Sequence, residues 1–332
     1  MDKDLRACSV LVTATSFGNQ DPTLKIALAE AVGEVRYNPK NRPLAAADLT
    51  PLVRSVDGLI AGLDEIDAAV IEAATRLKVI ARYGVGVDRV DVAAATRRGI
   101  VVTNTPGANS VAVAELTIGL ILALSRNLCR ADQATRRGEW PRYSGVGLRG
   151  KTVGCVGFGS IGREVAARLQ GFGCRLIASD PYLKPENFAG SGVSLVALEA
   201  LLASADIVSL HTALTSVTAG MADKRFFRQM KPGAFLVNTA RGELIDEAAL
   251  QHALESGHLR GVALDCFQQE PPRPEHPLLQ FPQVIATPHT GSHTDEAMNT
   301  MGRMSLEACL AALRGEPPSH VVNPEVYNAP TA

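Results

Sequence analysis

Aromatic residues, long apolar runs and clusters of like charge are all scarce in this chain of 332 residues. Phe, Trp and Tyr together make up 5% of it, and the formal net charge is -1. The longest apolar stretch, residues 116–124, is interrupted by Thr117 and Gly119 and is too short to span a bilayer. Because there is also no basic patch, neither a nucleic-acid partner nor a membrane is expected.

Cysteines are few and form no CxxC pair: Cys8, Cys129, Cys155, Cys174, Cys266 and Cys309. Isolated cysteines in a chain of this length predict small buried side chains in a reducing compartment, with no disulfide framework and no metal site. The first residues, MDKDLRACSVLV, open on acidic side chains and contain only a short apolar run. We therefore expect no signal peptide and a cytoplasmic location.

Aliphatic residues, by contrast, are plentiful and recur in a regular order. A short β-branched run is followed by a turn and then by an Ala/Leu-rich helix, the order typical of βαβ units. The chain also exceeds the usual length of a single domain. The sequence thus predicts an α/β fold of two lobes, each a doubly wound parallel sheet with helices on both faces.

This alternation of predicted strands and helices occurs in two series. In the first, the strands are residues 8–13, 34–37, 58–60, 78–81 and 100–103, and the helices are 22–31, 45–54, 67–74 and 92–98. In the second, the strands are 152–156, 175–179, 207–210, 234–238, 261–265 and 283–286. The Pro-rich segment 270–277 interrupts the second series, because helix and strand interiors reject that many prolines. A final helix is predicted over 295–314.

Between the two series, residues 110–126 read SVAVAELTIGLILALSR, which is apolar nearly all round. This pattern predicts a buried helix, capped by Asn109 and Ser110, that packs between the lobes or against a second subunit. Residues 138–149 predict an irregular surface segment.

A glycine-rich turn opens the second series. Gly157, Gly159 and Gly162 form G-x-G-x-x-G directly after a strand and at the start of a helix. They permit a tight turn, a close approach of the backbone to a pyrophosphate, and close packing of helix on strand. Asp180 ends the next strand, about 20 residues on, where a carboxylate accepts ribose hydroxyls and repels a 2′-phosphate. The pattern predicts a dinucleotide site that prefers NAD; the alternative is a structural turn with a capping aspartate.

Three chargeable side chains follow strands of the same series: Arg241, Glu270 and His289. Ligands of open α/β sheets bind outside the carboxyl ends of the strands, so we expect the three to converge. A guanidinium binds a carboxylate bidentately, an imidazolium protonates a keto oxygen as hydride reaches C2, and a carboxylate orients the imidazole. Together they predict interconversion of a 2-keto and a 2-hydroxy acid. Singly, they are also compatible with a surface arginine, a solvated glutamate and a structural histidine.

Several long motifs occur in one order from about Gly58 to Tyr327: ARYGVGVDRVD, NTPGANSVAVAELT, GKTVGCVGFGSIG, ADIVSLHTALT, KPGAFLVNTARGELIDEAAL, VALDCFQQEPP and TPHTGSHT. In these segments the chain resembles the D-isomer-specific 2-hydroxyacid dehydrogenase family, especially its phosphoglycerate dehydrogenase-like branch. The resemblance implies that Arg241 binds the substrate, that Glu270 is the partner of the histidine, and that His289 is the acid–base.

The resemblance also implies two sets of binding residues. The cofactor set is Gly157, Gly159, Ser160, Ile161, Gly162, Asp180, His211, Thr212, Thr239, Ala240, Asp265 and Gly291. The substrate set is Tyr83, Gly84, Val85, Gly86, Asn109 and Arg241, of which residues 83–86 offer backbone N–H groups to the substrate carboxylate.

The family's lobes are discontinuous in sequence. This implies a smaller, flavodoxin-like substrate domain formed by residues 1–103 and 291–332, and a Rossmann-type NAD domain formed by residues 104–290. Members usually dimerise through the helical region after Asn109, so a homodimer is expected. We expect no C-terminal regulatory domain of the kind that some phosphoglycerate dehydrogenases carry.

The chain departs from the family's patterns at three places. The usual H-x-P-L-T lacks its proline, since Ala213 stands there, and the usual PHxGG has Ser292 as its last residue, with His293 next. Ala61-Gly62 stands where phosphoglycerate dehydrogenases often carry Arg-Ser after the third strand, although Arg142 offers another cation.

The predicted function is hydride transfer between nicotinamide and C2 of a small D-2-hydroxy acid, with an unphosphorylated keto acid such as hydroxypyruvate or glyoxylate as the expected substrate. The alternative is D-3-phosphoglycerate dehydrogenase. An alternative of another class is an NAD(H)-sensing co-repressor-like scaffold, because co-repressors share this fold and can retain all three residues.

Overall fold

The structure, a computed structural model, describes residues 4–327. It divides into two compact units. Unit 1 contains the residues up to Asn109 and those from His293 onward, and unit 2 contains residues 110–292. The boundaries predicted from the sequence lay after residues 103 and 290.

Unit 1 contains a sheet of five parallel strands in the order β2-β1-β3-β4-β5. The strands are β1 (Ser9–Val12), β2 (Glu34–Tyr37), β3 (Gly58–Ala61), β4 (Val79–Arg82) and β5 (Val101–Thr103). The helices are α1 (Thr23–Ala31), α2 (Ala46–Val53), α3 (Ala68–Ala73), α4 (Val92–Arg97) and α11 (Asp295–Arg314). This strand order is that of flavodoxin-like sheets, whose ligands bind at the carboxyl edge near the β1/β3 switch point.

Unit 2 contains seven parallel strands in the order β12-β11-β10-β9-β6-β7-β8. The strands are β6 (Thr152–Val156), β7 (Arg175–Ser179), β8 (Val193–Leu195), β9 (Ile207–Leu210), β10 (Ala234–Asn238), β11 (Leu259–Leu264) and β12 (Val284–Ala286). The helices are α5 (Ser110–Ser125), α6 (Leu128–Arg136), α7 (Ser160–Leu169), α8 (Leu198–Ser204), α9 (Lys224–Gln229) and α10 (Glu247–Glu255). The prediction of two doubly wound parallel sheets is confirmed.

Strand β8 and helix α6 were not predicted, and helices α8, α9 and α10 were expected only as crossovers of the βαβ series, without bounds. Strand β8 is a three-residue edge strand of which Val193 alone is fully buried, so it shows little periodicity. Helix α6 buries only Ala134, and most of its other residues are polar. Short or weakly buried elements leave little hydrophobic pattern in a sequence.

Helix α5 is apolar as predicted, and it packs on α7, β10 and β11 of its own unit. The predicted cap is wrong, because the buried Oδ1 of Asn109 accepts no hydrogen bond from any described residue. Across residues 4–327, no single helix is long and apolar enough to cross a membrane. The pair α5 and α6, bent by 63°, meets that test by length and composition only.

The prediction for the cysteines is partly wrong. Four of the six are buried, but Cys174 is half-buried and Cys129, on the polar helix α6, is exposed.

Candidate active site

The predicted functional residues of unit 2 lie along one edge of its sheet. All seven strands are parallel, so the segments that follow their carboxyl ends lie side by side in the order of the strands. From β12 to β7 this row carries His289, Glu270, Arg241, His211, the glycine turn and Asp180. The Glu270–His289 pair and the glycine turn therefore lie along the same edge of one sheet.

The glycine turn between β6 and α7 requires glycine at positions 157 and 162. Gly157 has φ +90°, and a Cβ there would lie 2.8 Å from the carbonyl group of His211. A Cβ at Gly162 would lie 2.5 Å from the carbonyl oxygen of Gly157, whereas the space beside Gly159 is open. Helix α7 begins at Ser160 and has no side-chain cap, so the N–H groups of its first turn, Ser160 and Ile161 included, suit an anion.

Asp180 follows β7 and is half-buried. Its carboxylate accepts hydrogen bonds from the backbone N–H of Phe158 at 2.9 Å and of Tyr182 at 3.0 Å. Asp180 therefore holds the glycine turn in place, and each of its oxygens keeps a lone pair for a ribose hydroxyl.

His211 and Thr212 follow β9, and their backbone atoms lie next to Gly157 of the glycine turn. The His211 Nε2 lies 2.9 Å from Ser209 Oγ, whereas its buried Nδ1 has no partner among the described residues. Burial lowers the pKa of His211 to about 4. The ring is thus neutral at neutral pH, and its unpartnered nitrogen remains for a ligand.

Arg241 is positioned by the turn that follows β10. The buried Asn238 donates to the carbonyl oxygen of Arg241 at 2.7 Å and accepts from the N–H of Ala240 at 3.0 Å. Thr239 hydrogen-bonds Thr117 of α5 through their hydroxyls, 2.9 Å apart. The polar residues at the end of an apolar strand therefore shape the turn that presents the guanidinium.

The segments after β10 and β11 are in close contact. A Cβ at Gly242 would overlap the carbonyl group of Phe267, so only glycine fits there. Because Gly242 contacts Phe267, the neighbouring Arg241 lies near the residues that follow β11. The charges of Arg241 and Glu270 both act on the Cys266 thiol.

His289 and Glu270 form the predicted pair. His289 Nδ1 lies 3.0 Å from Oε1 and 2.9 Å from Oε2 of Glu270, and the N–H of Phe267 donates to Oε1 at 3.2 Å. No described residue hydrogen-bonds the other ring nitrogen, Nε2. Because the carboxylate accepts from Nδ1, it fixes the ring orientation and leaves Nε2 to exchange a proton.

The backbone of His289 adopts φ +52°, a left-handed conformation that is uncommon outside glycine. Asp265 at the end of β11 stabilises it. The buried carboxylate of Asp265 accepts from the Thr287 hydroxyl at 2.6 Å and from the N–H groups of Thr290 and Gly291, both at 2.9 Å. The carboxylate thus holds the loop that carries His289; its predicted contact with nicotinamide stays a prediction.

The predicted substrate loop, residues 83–86, lies in unit 1 after β4. The carbonyl oxygen of Gly84 accepts from the N–H of Thr105 at 3.0 Å, and that of Val85 accepts from Asn104 Nδ2 at 2.7 Å. In a trans peptide the C=O and the following N–H point in opposite directions. The N–H groups of Val85 and Gly86 therefore point away from residues 104–105, and neither donates to a described residue.

Tyr83 anchors this loop from the other side. Its hydroxyl donates to the carbonyl oxygen of Met298 in α11 at 3.0 Å, and its ring is buried. Arg82, also buried, donates to the carbonyl oxygen of Tyr83 at 2.6 Å. Gly84 adopts φ +144°, and a Cβ there would lie 3.1 Å from the Arg82 guanidinium.

Sequence reasoning missed four residues that order these loops: Asn104, Thr117, Asn238 and Thr287. Asn238 and Thr287 are polar side chains directly at or after the end of a strand, and this signal was available. In the sequence Thr117 only interrupts an apolar helix and Asn104 gives no signal, because their partners Thr239 and Val85 are not sequence neighbours.

Comparison with known proteins places the chain in a family. Residues 118–291 match the model of the D-isomer specific 2-hydroxyacid dehydrogenase NAD binding domain. The chain is 41% identical to the glyoxylate reductase of Thermofilum pendens over 307 residues, which are 90% of this chain and 91% of that one. It also resembles the crystal structure of the TT0316 protein from Thermus thermophilus, with a TM-score of 0.83, 40% identity, and 95% and 99% of the two chains covered.

A further relative is longer than this chain. The D-3-phosphoglycerate dehydrogenase of Methanocaldococcus jannaschii is 43% identical over 302 residues, which are 90% of this chain but 57% of that protein. The chain spans about half the length of the curated phosphoglycerate dehydrogenases that it matches. The motifs, the two parallel sheets and these matches agree: the chain belongs to the D-isomer specific 2-hydroxyacid dehydrogenase family and carries its NAD-binding domain.

Proposed function

We propose that this protein is an NAD-dependent D-2-hydroxyacid dehydrogenase that transfers hydride between nicotinamide and C2 of a small 2-keto or 2-hydroxy acid. The observation that carries this proposal is the Glu270–His289 pair, set on the same sheet edge as Arg241 and the glycine turn. An anion binder, a proton donor and a dinucleotide turn are the parts that such a reaction requires.

The proposed roles follow from the contacts of each side chain. Bound NADH supplies the hydride, and bound NAD⁺ accepts it in the reverse direction. His289 Nε2 gives a proton to the keto oxygen during reduction and takes it back during oxidation. Glu270 holds the ring by Nδ1 and stabilises the imidazolium. Arg241 binds the substrate carboxylate through two N–H groups.

We propose that the segments that follow strands β6, β7, β9, β10 and β11 form the cofactor site, together with Gly291 in the segment after β12. The glycine turn and the first turn of α7 suit a pyrophosphate. Asp180 favours NAD over NADP, because a 2′-phosphate would meet its carboxylate. The neutral ring of His211 adds no positive charge to this row.

We further propose that the N–H groups of Val85 and Gly86 bind the substrate carboxylate. The carbonyl oxygens of Gly84 and Val85 accept hydrogen bonds from Thr105 and Asn104, so the loop is organised before any ligand arrives. The buried Oδ1 of Asn109 has no hydrogen-bond donor among the described residues. A hydroxyl group of the substrate could supply that donor, which supports the proposed role of Asn109 in substrate binding.

Replacing Asn104 with Ala is expected to raise the KM for the keto acid about tenfold, because one hydrogen bond that orients the amides is worth about 1 kcal/mol or somewhat more. The KM for NADH and kcat should change little. Steady-state kinetics with each substrate varied in turn checks this. Asn38→Ala is the matched control, since Asn38 Nδ2 also holds a backbone carbonyl, that of Arg42, at 2.8 Å. An equal rise in KM in both variants would contradict the proposed role.

The proposed substrate is unphosphorylated. The loop after β3 carries Ala61 and Gly62, and the Gly62 N–H donates to the buried carboxylate of Asp64 at 2.9 Å. Asp64 also accepts from the N–H of Leu44 at 2.8 Å and from the Thr13 hydroxyl. The Asp64 carboxylate is thus buried and engaged within the loop, which offers small groups and no cation to the far end of a substrate.

The experiment is a comparison of kcat/KM for hydroxypyruvate, glyoxylate and phosphohydroxypyruvate, each with NADH and NADPH. We expect the unphosphorylated acids and NADH to be preferred. The competing proposal, D-3-phosphoglycerate dehydrogenase, places Arg142 or a partner residue at the phosphate. A tenfold preference for the phosphate ester that is lost in Arg142→Ala would establish that proposal instead. Absence of turnover with every acid would favour the NAD(H)-sensing scaffold.

We also propose that the protein is a cytoplasmic homodimer. Around α5 and α6 large apolar side chains face solvent: Val111 is 42%, Leu128 52% and Trp140 78% exposed. A second copy would cover such a patch. Sedimentation equilibrium should give twice the chain mass, and Leu128→Glu should shift it toward the monomer.

A further inference from the structure

Cys266 lies beside the Glu270–His289 pair, and the proposed reaction gives it no role. Its thiol is buried and follows Asp265 at the end of β11. One donor atom from each of Cys266, Glu270 and His289 lies within 4.8 Å of the other two. A thiol, a carboxylate and an imidazole are thus gathered at one point.

We propose that Cys266, Glu270 and His289 form an inhibitory site for a thiophilic divalent cation such as Zn²⁺. Thiolate sulfur, imidazole nitrogen and carboxylate oxygen are the ligands that Zn²⁺ takes in proteins, and three protein ligands with one water complete its tetrahedral shell. Mg²⁺ and Ca²⁺ prefer oxygen ligands and would leave the thiol unused.

The geometry requires a small adjustment of the cluster. Zinc–ligand bonds of about 2.0–2.3 Å place neighbouring ligand atoms about 3.3–3.8 Å apart. The Cys266 thiol must therefore approach the other two donors by up to about 1 Å, whereas His289 Nδ1 and Glu270, 2.9 Å apart, must separate slightly. Glu270 lies in a segment without helix or strand, so a change of its rotamer would move no strand. The side chains of His289 and Glu270 are 23% and 15% exposed, which leaves a path for an ion and its water.

The charges around the thiol favour a cation. Burial and the nearby charges of Asp265 and Glu270 outweigh the opposing charge of Arg241 and raise the pKa of the Cys266 thiol well above its ordinary value, so the group is a thiol at neutral pH. It donates to the carbonyl oxygen of Ala240 at 3.4 Å. Cation binding would release the thiol proton to solvent, and the same carboxylates that oppose a thiolate would then attract the metal. Such a thiol is a poor target for oxidation, which requires the thiolate.

Occupancy of this site would stop the proposed reaction; this consequence rests on the proposed function, whereas the binding itself does not. A metal on His289 Nδ1 replaces its bond to Glu270, and a metal on Nε2 blocks the atom that exchanges the proton. In either case the acid–base pair is lost. The cation therefore acts as an inhibitor and not as a cofactor.

The experiment uses metal-free protein in the Cys129→Ala background, because the exposed Cys129 would bind cations by itself. Cd²⁺ is titrated while the ultraviolet charge-transfer band of a thiolate–Cd²⁺ bond is followed, and Zn²⁺ inhibition of NADH oxidation is measured in parallel. We expect one Cd²⁺ per chain. Adding Cys266→Ala or Cys266→Val should remove the band and raise the inhibitory Zn²⁺ concentration at least about tenfold. Tenfold is the smaller loss of metal affinity seen when a residue that only hydrogen-bonds to a ligand is replaced.

The two cysteine replacements guard against loss through misfolding, since both should keep turnover in the absence of metal. An unchanged band, or unchanged Zn²⁺ inhibition, in both Cys266 variants would overturn the proposal. The Cd²⁺ titration needs no substrate, so it separates failure of this site from failure of the proposed enzymatic function.

Discussion

Replacing His289 with Asn is expected to lower kcat for keto-acid reduction by about 10²–10⁴-fold, the usual contribution of general acid–base catalysis. The amide can occupy the space of the ring but cannot deliver a proton at the position of Nε2. Binding of NADH should be unchanged, because the glycine turn and Asp180 lie at the other end of the row. Single-turnover kinetics and NADH fluorescence titration measure the two quantities separately.

Glu270→Gln is the matched control for this prediction. Glutamine can still accept the hydrogen bond from Nδ1, so the ring keeps its orientation, but the charge that stabilises the imidazolium is gone. The loss of kcat should be smaller, and the decline of reduction at high pH should begin at lower pH. A wild-type pH profile in Glu270→Gln, or a wild-type kcat in His289→Asn, would contradict the assigned pair.

Replacing Arg241 with Ala should lower kcat/KM for the keto acid by about 10- to 150-fold, which corresponds to the 1.5–3 kcal/mol of a charge-assisted hydrogen-bonded contact. Most of the effect should lie in KM, since the guanidinium holds the carboxylate before and during hydride transfer. Some loss of kcat is also expected, because a loosely held acid reaches the reactive geometry less often.

Arg241→Lys tests whether the geometry of the guanidinium matters. Lysine keeps the charge but not the planar pair of donors, so it should recover only part of the loss. Full recovery by lysine would show that charge alone is required, and an unchanged KM in Arg241→Ala would remove Arg241 from substrate binding. The turn that presents the residue should persist in both variants, because Asn238 holds it through backbone atoms.

Local patterns predicted the two sheets well and indicated which strands the candidate residues follow. Strand β10 is continuously apolar and ends in Asn238, and β6 leads directly into the glycine turn, so each type of element and the place of its functional residues follow from short segments. Parallel strands then bring Arg241, Glu270 and His289 to one edge without further information. The pairing of His289 with Glu270 follows from this topology and is present in the structure.

The remainder depends on contacts between distant residues. Asn109 looked like a helix cap, but its carboxamide oxygen is buried without a partner among the described residues. Asp265 holds the loop after β12 through three donors from Thr287, Thr290 and Gly291, which no local pattern indicates. Cys266 looked like one more small core residue, because its neighbourhood forms only when the segments after β11 and β12 meet.

Hydride transfer itself can be measured directly. NADH that carries deuterium at C4 is incubated with the protein and hydroxypyruvate or glyoxylate, and the 2-hydroxy acid product is analysed by mass spectrometry and NMR. The account predicts deuterium at C2 of the product, D-configuration where that carbon is a stereocentre, and no such product from His289→Asn on the same timescale. Consumption of neither cofactor nor acid, or a product without deuterium at C2, would contradict it.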